Sequence, residues 1–465
     1  MAPQSSYTEP TDVSLWSPRY RALVFGLTLI VTFTAFEGLA VATILPAVTK
    51  DLGGLSLYGW VFSAFLLSDL VGIVISGAEA DQHSPAHPFA VGVTLFVVGL
   101  IIAGMAPSMQ ILVAGRVIQG LGAGANFSMA YVAIGRGLPD RVKPKMLAIM
   151  SSAWVIPGLI GPALAGWISD HLGWRWVFAG LAPLPIVAAS MALPALRRLP
   201  PSTPVPPDRQ RIGMALLLAI GTGLLLAGLN SHRLLYAIPL CLPGAALAFT
   251  ALQRLLPPGT LSARAGLPAA IAMLGLLNLA FFGVDVFVPL TLNKVRGQSA
   301  TVAGLALTAA TLTWTAGAWL QAHLTATWSR RILVILGWLL IGAAIGGIAY
   351  VLDPQVPRGL APLIWGLGGL GMGLAYSTSK LVILENMPAG QEGAVSASMQ
   401  LTDALGSALG TGIGGAVLAA LSAGNASPRS GIFTTDMLML VVVGVGIVAA
   451  TQLPTGRPHK LDGPF

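Results

Sequence analysis

Along most of this chain apolar residues run on without a regular polar interruption, and the runs are broken by short polar or proline- and glycine-containing connections. A helix crossing a bilayer core needs roughly 20 such residues. Runs of that kind lie at 21–46, 57–77, 88–107, 109–135, 145–169, 174–195, 211–229, 234–255, 267–291, 299–323, 331–351, 359–379, 392–422 and 431–453. The pattern predicts an all-α polytopic membrane protein of 14 transmembrane helices. Barrel strands are excluded, because they alternate in polarity and need only about 10 residues. The seventh and eighth runs would look the same as a helical hairpin lying in the interface. Glycines within the runs allow close helix approach in lipid. The clearest case is Gly406-Ser-Ala-Leu-Gly410-Thr-Gly412-Ile-Gly414-Gly415.

No connection is long enough for a soluble domain. The longest, Arg197 to Gln210 (RRLPPSTPVPPDRQ), is basic and proline-rich and reads as an extended tether. It divides the spans as six, two and six. The expected layout is a tail (1–20), a six-helix bundle (21–196), the linker (197–210), two additional helices (211–255), a second six-helix bundle (256–453) and a second tail (454–465). Residues 1–18 lack the apolar core of a signal peptide, and the first run is long enough to be a retained anchor. Basic residues set the orientation. Arg136, Arg141, Lys143, Lys145, Arg197, Arg198, Arg209, Arg211, Arg254, Arg264, Arg330, Arg331 and Lys380 fall in connections on the side of the N-terminus. Lys50, Arg175, Arg233, Lys294, Arg296, Arg358 and Arg429 fall on the other. That excess places both termini in the cytoplasm of a multi-pass protein of the cell (plasma or inner) membrane.

Composition agrees. Of 465 residues 55% are hydrophobic and 9% charged, with mean hydropathy +0.79, whereas a soluble domain carries about 25% charged residues. The net charge of +8 does not imply a nucleic-acid partner, because the cations are spread over loops rather than gathered on one face. The lone Cys241 precludes an intrachain disulfide or a cysteine metal cluster.

Ionisable groups inside the runs change the picture most. A charge at the bilayer centre costs about 2.5–3.5 kcal/mol on insertion scales, so each such group is a functional candidate. They are Glu37 in the first span, Asp69 in the second, Arg116 in the fourth, Asp285 in the ninth and Asp403 in the thirteenth. Glu37 and Arg116 lie at similar depth, roughly 10–13 Å below the outer surface at the helical rise, and can pair if their helices are adjacent. Desolvation there favours the neutral acid, so Glu37 is a group able to exchange a proton near neutral pH. The bland alternatives are that Arg116 braces backbone carbonyls and that Asp69 hydrogen-bonds Ser63 or Ser68.

The fourth span reads Leu112-Val-Ala-Gly-Arg116-Val-Ile-Gln119-Gly120-Leu-Gly122-Ala-Gly124, with Arg116, Gln119 and Asn126 on one polar stripe. The fifth contains Pro157-Gly158-Leu-Ile-Gly161-Pro162-Ala-Leu-Ala165-Gly166, a pliable helix with a close-packing face. These resemble two signatures of the major facilitator superfamily, the fourth-helix RxxQGxGaa and the antiporter GxxxGPxxGG. The stretch Phe36-Glu37 to Pro46 is similar to the acidic first-helix pattern of the 14-helix drug–proton antiporter branch, and Trp174-Arg175-Trp176-Val-Phe178 to its WRWxF entry. The family's loop GxLaDRxGRR keeps Gly77 and Asp81 but none of its arginines. Its counterpart in the second half keeps Arg330-Arg331 and loses the acid.

The resemblance implies the major facilitator fold and alternating access between two bundles, with a cavity at mid-membrane. It implies proton-coupled export of small amphipathic, lipophilic or cationic compounds such as drugs. Proton coupling falls to Glu37, Asp69, Arg116, Asp285 and Asp403. The cavity is expected to include Phe33, Phe36, Phe65, Gln119, Asn126, Tyr131, Asn278, Phe281, Phe282, Trp314 and Gln400. Gly77, Asp81, Gly120, Gly158, Gly161, Pro162 and Gly166 would serve the conformational change. The partners are then the bilayer, amphipathic substrates and protons, with a monomer expected and no cofactor beyond the proton gradient. Alternatives are export of an endogenous lipid or secondary metabolite, coupling to sodium, and a non-transporting receptor or scaffold. No enzyme is indicated. Gly366-Leu-Gly368-Gly-Leu-Gly371 fits GxGxxG without a preceding strand, and prolines between and after His83 and His87 break the helix that metal ligation would need.

Overall fold

The computed structural model describes residues 14–80, 84–139, 142–199, 209–231, 234–325, 327–387, 392–423 and 427–453. Asp81 and residues 200–208 of the linker lie outside them, as do residues 1–13 and 454–465 of the tails. No strand occurs among the described residues. "Inner" denotes the membrane side on which the first helix begins.

The helices of the first bundle are α1 (Arg21–Leu52), α2 (Tyr58–Ala80), α3 (Ala86–Gly104), α4 (Met109–Gly137), α5 (Lys143–Ser152), α6 (Val155–His171), α7 (Arg175–Leu181) and α8 (Pro183–Leu196). Two additional helices follow, α9 (Arg209–Leu229) and α10 (Leu234–Leu255). The second bundle comprises α11 (Leu267–Asp285), α12 (Val288–Leu290), α13 (Ala300–Leu324), α14 (Arg330–Val351), α15 (Leu360–Glu385), α16 (Glu392–Ala423) and α17 (Pro428–Ala450).

Counting α5–α6, α7–α8 and α11–α12 as one span each gives fourteen passes. Among the described residues, twelve helical stretches are long and apolar enough to cross a membrane by length and composition. The other two are the broken α5–α6 pair and α13, whose sequence is diluted by threonines. The expected continuous fifth span is thus two helices, separated at Ala153–Trp154. Within α6, Pro162 cannot supply the N–H that the Gly158 carbonyl would accept. The same physics ends α11, because Pro289 has no N–H for the carbonyl of Asp285, and a π-helical turn, Thr291–Val295, follows α12.

Serine caps start three spans. The hydroxyls of Ser108, Ser299 and Ser329 accept from the N–H groups of Ile111, Val302 and Ile332, satisfying donors that helix N-termini leave free. At the outer end of α14, buried Arg296 donates to the carbonyls of Val351 (2.5 Å), Asp353, Pro354 (3.3 Å) and Val356 (2.6 Å). It ties down the turn that follows the helix.

Each bundle repeats one packing scheme: α4 lies on α2 and α3 in the first, and α15 on α13 and α14 in the second. The bundles meet where α6 packs on α13 and α2 on α16. Hydrogen bonds that join them gather at the outer side. Tyr58 Oη donates to the Val286 carbonyl (2.9 Å), and Ser63 Oγ to that of Ala408 (2.9 Å), with Thr411 Oγ1 3.0 Å away. The pair α9–α10 lies outside the bundles, where Leu226 of α9 wedges between Leu67 of α2 and Ala408 of α16.

Candidate functional site

The structure brings Glu37 and Arg116 together inside the first bundle. Both are fully buried, and Arg116 Nη1 donates to Glu37 Oε1. The same nitrogen donates to Gln119 Oε1 (2.7 Å), one helical turn along α4. Arg116 Nε donates to the Val61 carbonyl of α2 (3.1 Å), and the guanidinium lies 4.2 Å from the Phe65 ring centroid. One cation therefore links α1, α2 and α4, and a desolvated cation–π contact adds to its attachment. Glu37 Oε2 and Gln119 Nε2 are buried without a partner. This close approach of α2 and α4 depends on Gly120, where a side chain would strike the Phe65 carbonyl and Ser68.

Asp69 lies two turns inward of Ser63 on α2. It is part-buried, and its carboxylate has no partner among the described residues. Ser68 instead bonds the carbonyls of Ala64 and Phe65, and Ser63 bonds α16, so neither serine serves Asp69.

Asp403 of α16 anchors a polar cluster of the second bundle. Asn278 Nδ2 donates to Oδ1 (3.0 Å) and Tyr376 Oη to Oδ2 (2.6 Å), and Lys380 Nζ lies 3.4 Å from Oδ2. Lys380 is therefore not a loop cation, as its place at the end of an apolar run suggested. It is within α15, which continues to Glu385. Asp285 has a neutral donor, Trp365 Nε1 at 2.7 Å. By helix order α11 and α15 stand in the second bundle where α1 and α4 stand in the first. Each bundle thus ties an acid of its first helix to a donor on its fourth.

The expected aromatic residues Phe281, Phe282 and Trp314 do come together. Phe281 meets Phe282 edge-on at 5.4 Å and Trp314 at 5.6 Å. The cluster extends to Trp365, stacked on Phe281 at 4.9 Å, and to Tyr376, edge-on to Trp314 at 5.5 Å. Tyr131 is half exposed. Gln400, one turn inward of Asp403, is exposed, and Phe33 and Phe36 are part-buried. Asn126 departs from expectation. It is fully buried with neither amide atom partnered, and its Oδ1 fills the space beside Gly92, so it belongs to the α3–α4 packing.

Along α6, Gly158 abuts Thr311, Gly161 the Phe36 ring, and Gly166 the backbone of Ala300 and Thr301. The carbonyl of Pro162 approaches Gly304. Gly158, Pro162 and Gly166 are therefore the surface on which the first bundle meets α13, while Gly161 packs within its own bundle on α1. At the inner side Gly77 makes only an ordinary approach to Ser128, and Arg136 Nη1 donates to the Ala80 carbonyl (2.8 Å). In the second bundle the connection from α13 to α14 has no acid, and Arg330 pairs instead with Glu385 at the end of α15, at 2.8 Å.

Sequence reasoning missed four residues. Lys380 and Tyr376 are one turn apart on α15, and the apolar Leu381 to Leu384 that follow were the available sign that the helix continues. Trp365 carried no signal beyond being a buried indole. Asp436 of α17 was readable as an acid in an apolar run; it is fully buried and both carboxyl oxygens lack partners. No group of metal-ligating side chains occurs among the described residues.

Comparison with known proteins gives a coherent result. A family model described as Major Facilitator Superfamily matches residues 25–411. The multidrug transporter protein MdtP of Bacillus subtilis is 27% identical over 430 residues, covering 90% of this chain and 77% of its own. A "probable multidrug-efflux transporter" of Mycobacterium tuberculosis is 26% identical over 462 residues, covering 90% and 91%. Among solved structures, an auto-inhibited POT family peptide transporter superposes with a TM-score of 0.66 over 95% of this chain and 98% of that one, at 15% identity.

Proposed function

Because the chain belongs to the Major Facilitator Superfamily and is therefore a membrane transporter rather than an enzyme, we propose that it is a proton-coupled antiporter that exports small amphipathic compounds. The naming of its relatives as multidrug and efflux transporters supports the choice of cargo. The observation that carries the coupling is the buried Glu37–Arg116 pair, whose acid keeps one oxygen without a partner. With the basic loops on the inner side, that side is the cytoplasm, the membrane is the cell membrane and both termini are cytoplasmic. The working unit is a monomer.

The mechanism follows from what Arg116 touches. The backbone it holds, Val61, is two residues from Ser63, which bonds the other bundle in the outer seal. A proton arriving from outside on Glu37 Oε2 removes the charge that Arg116 neutralises. The link between α1 and the α2–α4 pair then weakens, and with it the seat of the outer seal. Release of the proton to the cytoplasm restores the pair and the closure. Asp69, unpaired and part-buried, offers a negative charge to a cationic cargo, and the aromatic cluster around Trp314 offers apolar faces.

The test is transport by purified protein in liposomes under an imposed pH gradient. Glu37→Gln keeps the shape and one acceptor but cannot cycle between charged and neutral forms, so pH-driven efflux is expected to disappear while the protein still folds. Undiminished efflux in that variant would remove Glu37 from the coupling.

A further inference from the structure

Lys380 Nζ is seated 4.2 Å from the ring centroid of Tyr376 and 3.4 Å from Asp403 Oδ2. An aromatic face with a carboxylate counter-ion is the arrangement that recognises ammonium ligands. The parts around it are fixed independently of the lysine. Asn278 and the Tyr376 hydroxyl hold the two oxygens of Asp403, and Trp314 braces the Tyr376 ring edge-on. Asn278 is held in turn, since its Nδ2 also donates to the Leu274 carbonyl (2.8 Å). The ion pair is not sealed. The Lys380 and Asp403 side chains keep 37% and 22% of their surface exposed, whereas Arg116 is buried.

We propose that Tyr376, Asp403 and Trp314 form a binding site for the cationic head of a lipophilic amine or onium compound, and that Lys380 is a tethered occupant of that site, displaced when such a ligand binds. The assignment rests on the reading of this protein as a transporter of amphipathic compounds and narrows the cargo to cations. Displacement is feasible because Lys380 sits on a flexible four-carbon stem about five residues, roughly 8 Å, from the inner end of α15. Its ammonium can swing toward water without leaving a buried charge behind. The apolar part of the ligand would lie along the part-exposed Phe282 and Trp314.

The experiment measures equilibrium binding of tetraphenylphosphonium, and of neutral Nile red as a control, to the full-length chain in lipid nanodiscs. Lys380→Met removes the competitor and is expected to bind tetraphenylphosphonium at least about fivefold more tightly, while Tyr376→Leu and Asp403→Asn bind it at least about fivefold more weakly. Nile red affinity stays within about twofold throughout on the same scale. Lys380→Gln is expected to behave as Lys380→Met does, and Lys380→Arg to keep the affinity of the unaltered chain. These two separate loss of the competing charge from loss of fold. Unchanged or weaker tetraphenylphosphonium binding in both neutral variants would overturn the proposal. If the neutral variants bind more tightly but no pH-driven flux occurs in liposomes, the site stands and the transport reading fails. If flux occurs and the affinities do not move, the site is wrong and the transport reading survives.

Discussion

The carboxylate of Asp170, at the outer end of α6, accepts hydrogen bonds from the Thr301 N–H (3.0 Å) and the Thr301 hydroxyl (2.7 Å) in the first turn of α13. Its other oxygen accepts from the Ala300 N–H at 3.2 Å. One bundle thereby supplies a cap for a helix of the other, and an acidic group at a helix N-terminus is favoured by the exposed N–H donors and the helix dipole. In this structure they tie the two bundles together at the outer side.

Asp170→Ala should therefore favour the outward-open arrangement. A lost cap is worth about 1 kcal/mol, a shift of about fivefold in the balance of the two states. Labelling of a single cysteine placed in the outer half of the cavity should accelerate, and a rate equal to that of the unaltered chain would show that the cap does not hold the gate.

Gly166 is the steric counterpart of that cap. A side chain there meets the Ala300 carbonyl and the Thr301 backbone at 2.7 Å, and backbone cannot move aside. Overpacking costs about 1–3 kcal/mol, so Gly166→Leu should open the outer seam and reduce transport by at least about tenfold. Membrane insertion, followed by protein yield, should be unaffected.

The buried Glu37–Arg116 pair makes a prediction about stability as well as coupling. Removing one member of such a pair leaves an uncompensated charge and costs about 3–5 kcal/mol. Arg116→Ala should lower the thermal midpoint in detergent sharply. Combining it with Glu37→Gln should recover much of the loss, because the stranded charge is gone. A double variant as unstable as the sum of the singles would show that the two residues do not interact energetically.

Asp436 should respond in the opposite way. A carboxyl buried with no partner carries a desolvation penalty of about 1–3 kcal/mol, and replacement by an apolar residue of similar shape is neutral or stabilising. Asp436→Leu is expected to raise the thermal midpoint. A fall in the midpoint would show that the acid has a role in holding α17.

What could be read from the sequence and what could not divide along a physical line. The helical passes follow from run length, and the pairing of Glu37 with Arg116 follows from matched depth, since a buried cation and a buried acid at one level have few alternatives. The face that α6 offers to α13 was legible in the spacing of Gly158, Pro162 and Gly166. Partners supplied from distant helices were not. Lys380 looked like a loop residue because its neighbourhood alone does not reveal Asp403, and Glu385 reaches Arg330 only when α14 and α15 have packed. Asn126 shares the stripe of Arg116, yet the glycine at position 92 draws it into the α3–α4 contact, which no pattern within α4 reveals. The break at Ala153–Trp154 is likewise hidden, because both sides of it are apolar.

The hairpin of α9 and α10 touches α2 of one bundle and α16 of the other through the same wedge, Leu226. A bar laid across a joint belongs to neither arm, so any rocking of the two would have to slide it along one of them. Little of α10 is buried against the rest of the protein, which leaves its apolar surface to the acyl chains of a bilayer. Were the bundles to rock in this way, the thickness and fluidity of the surrounding bilayer would brake turnover without any lipid entering the pathway of the cargo.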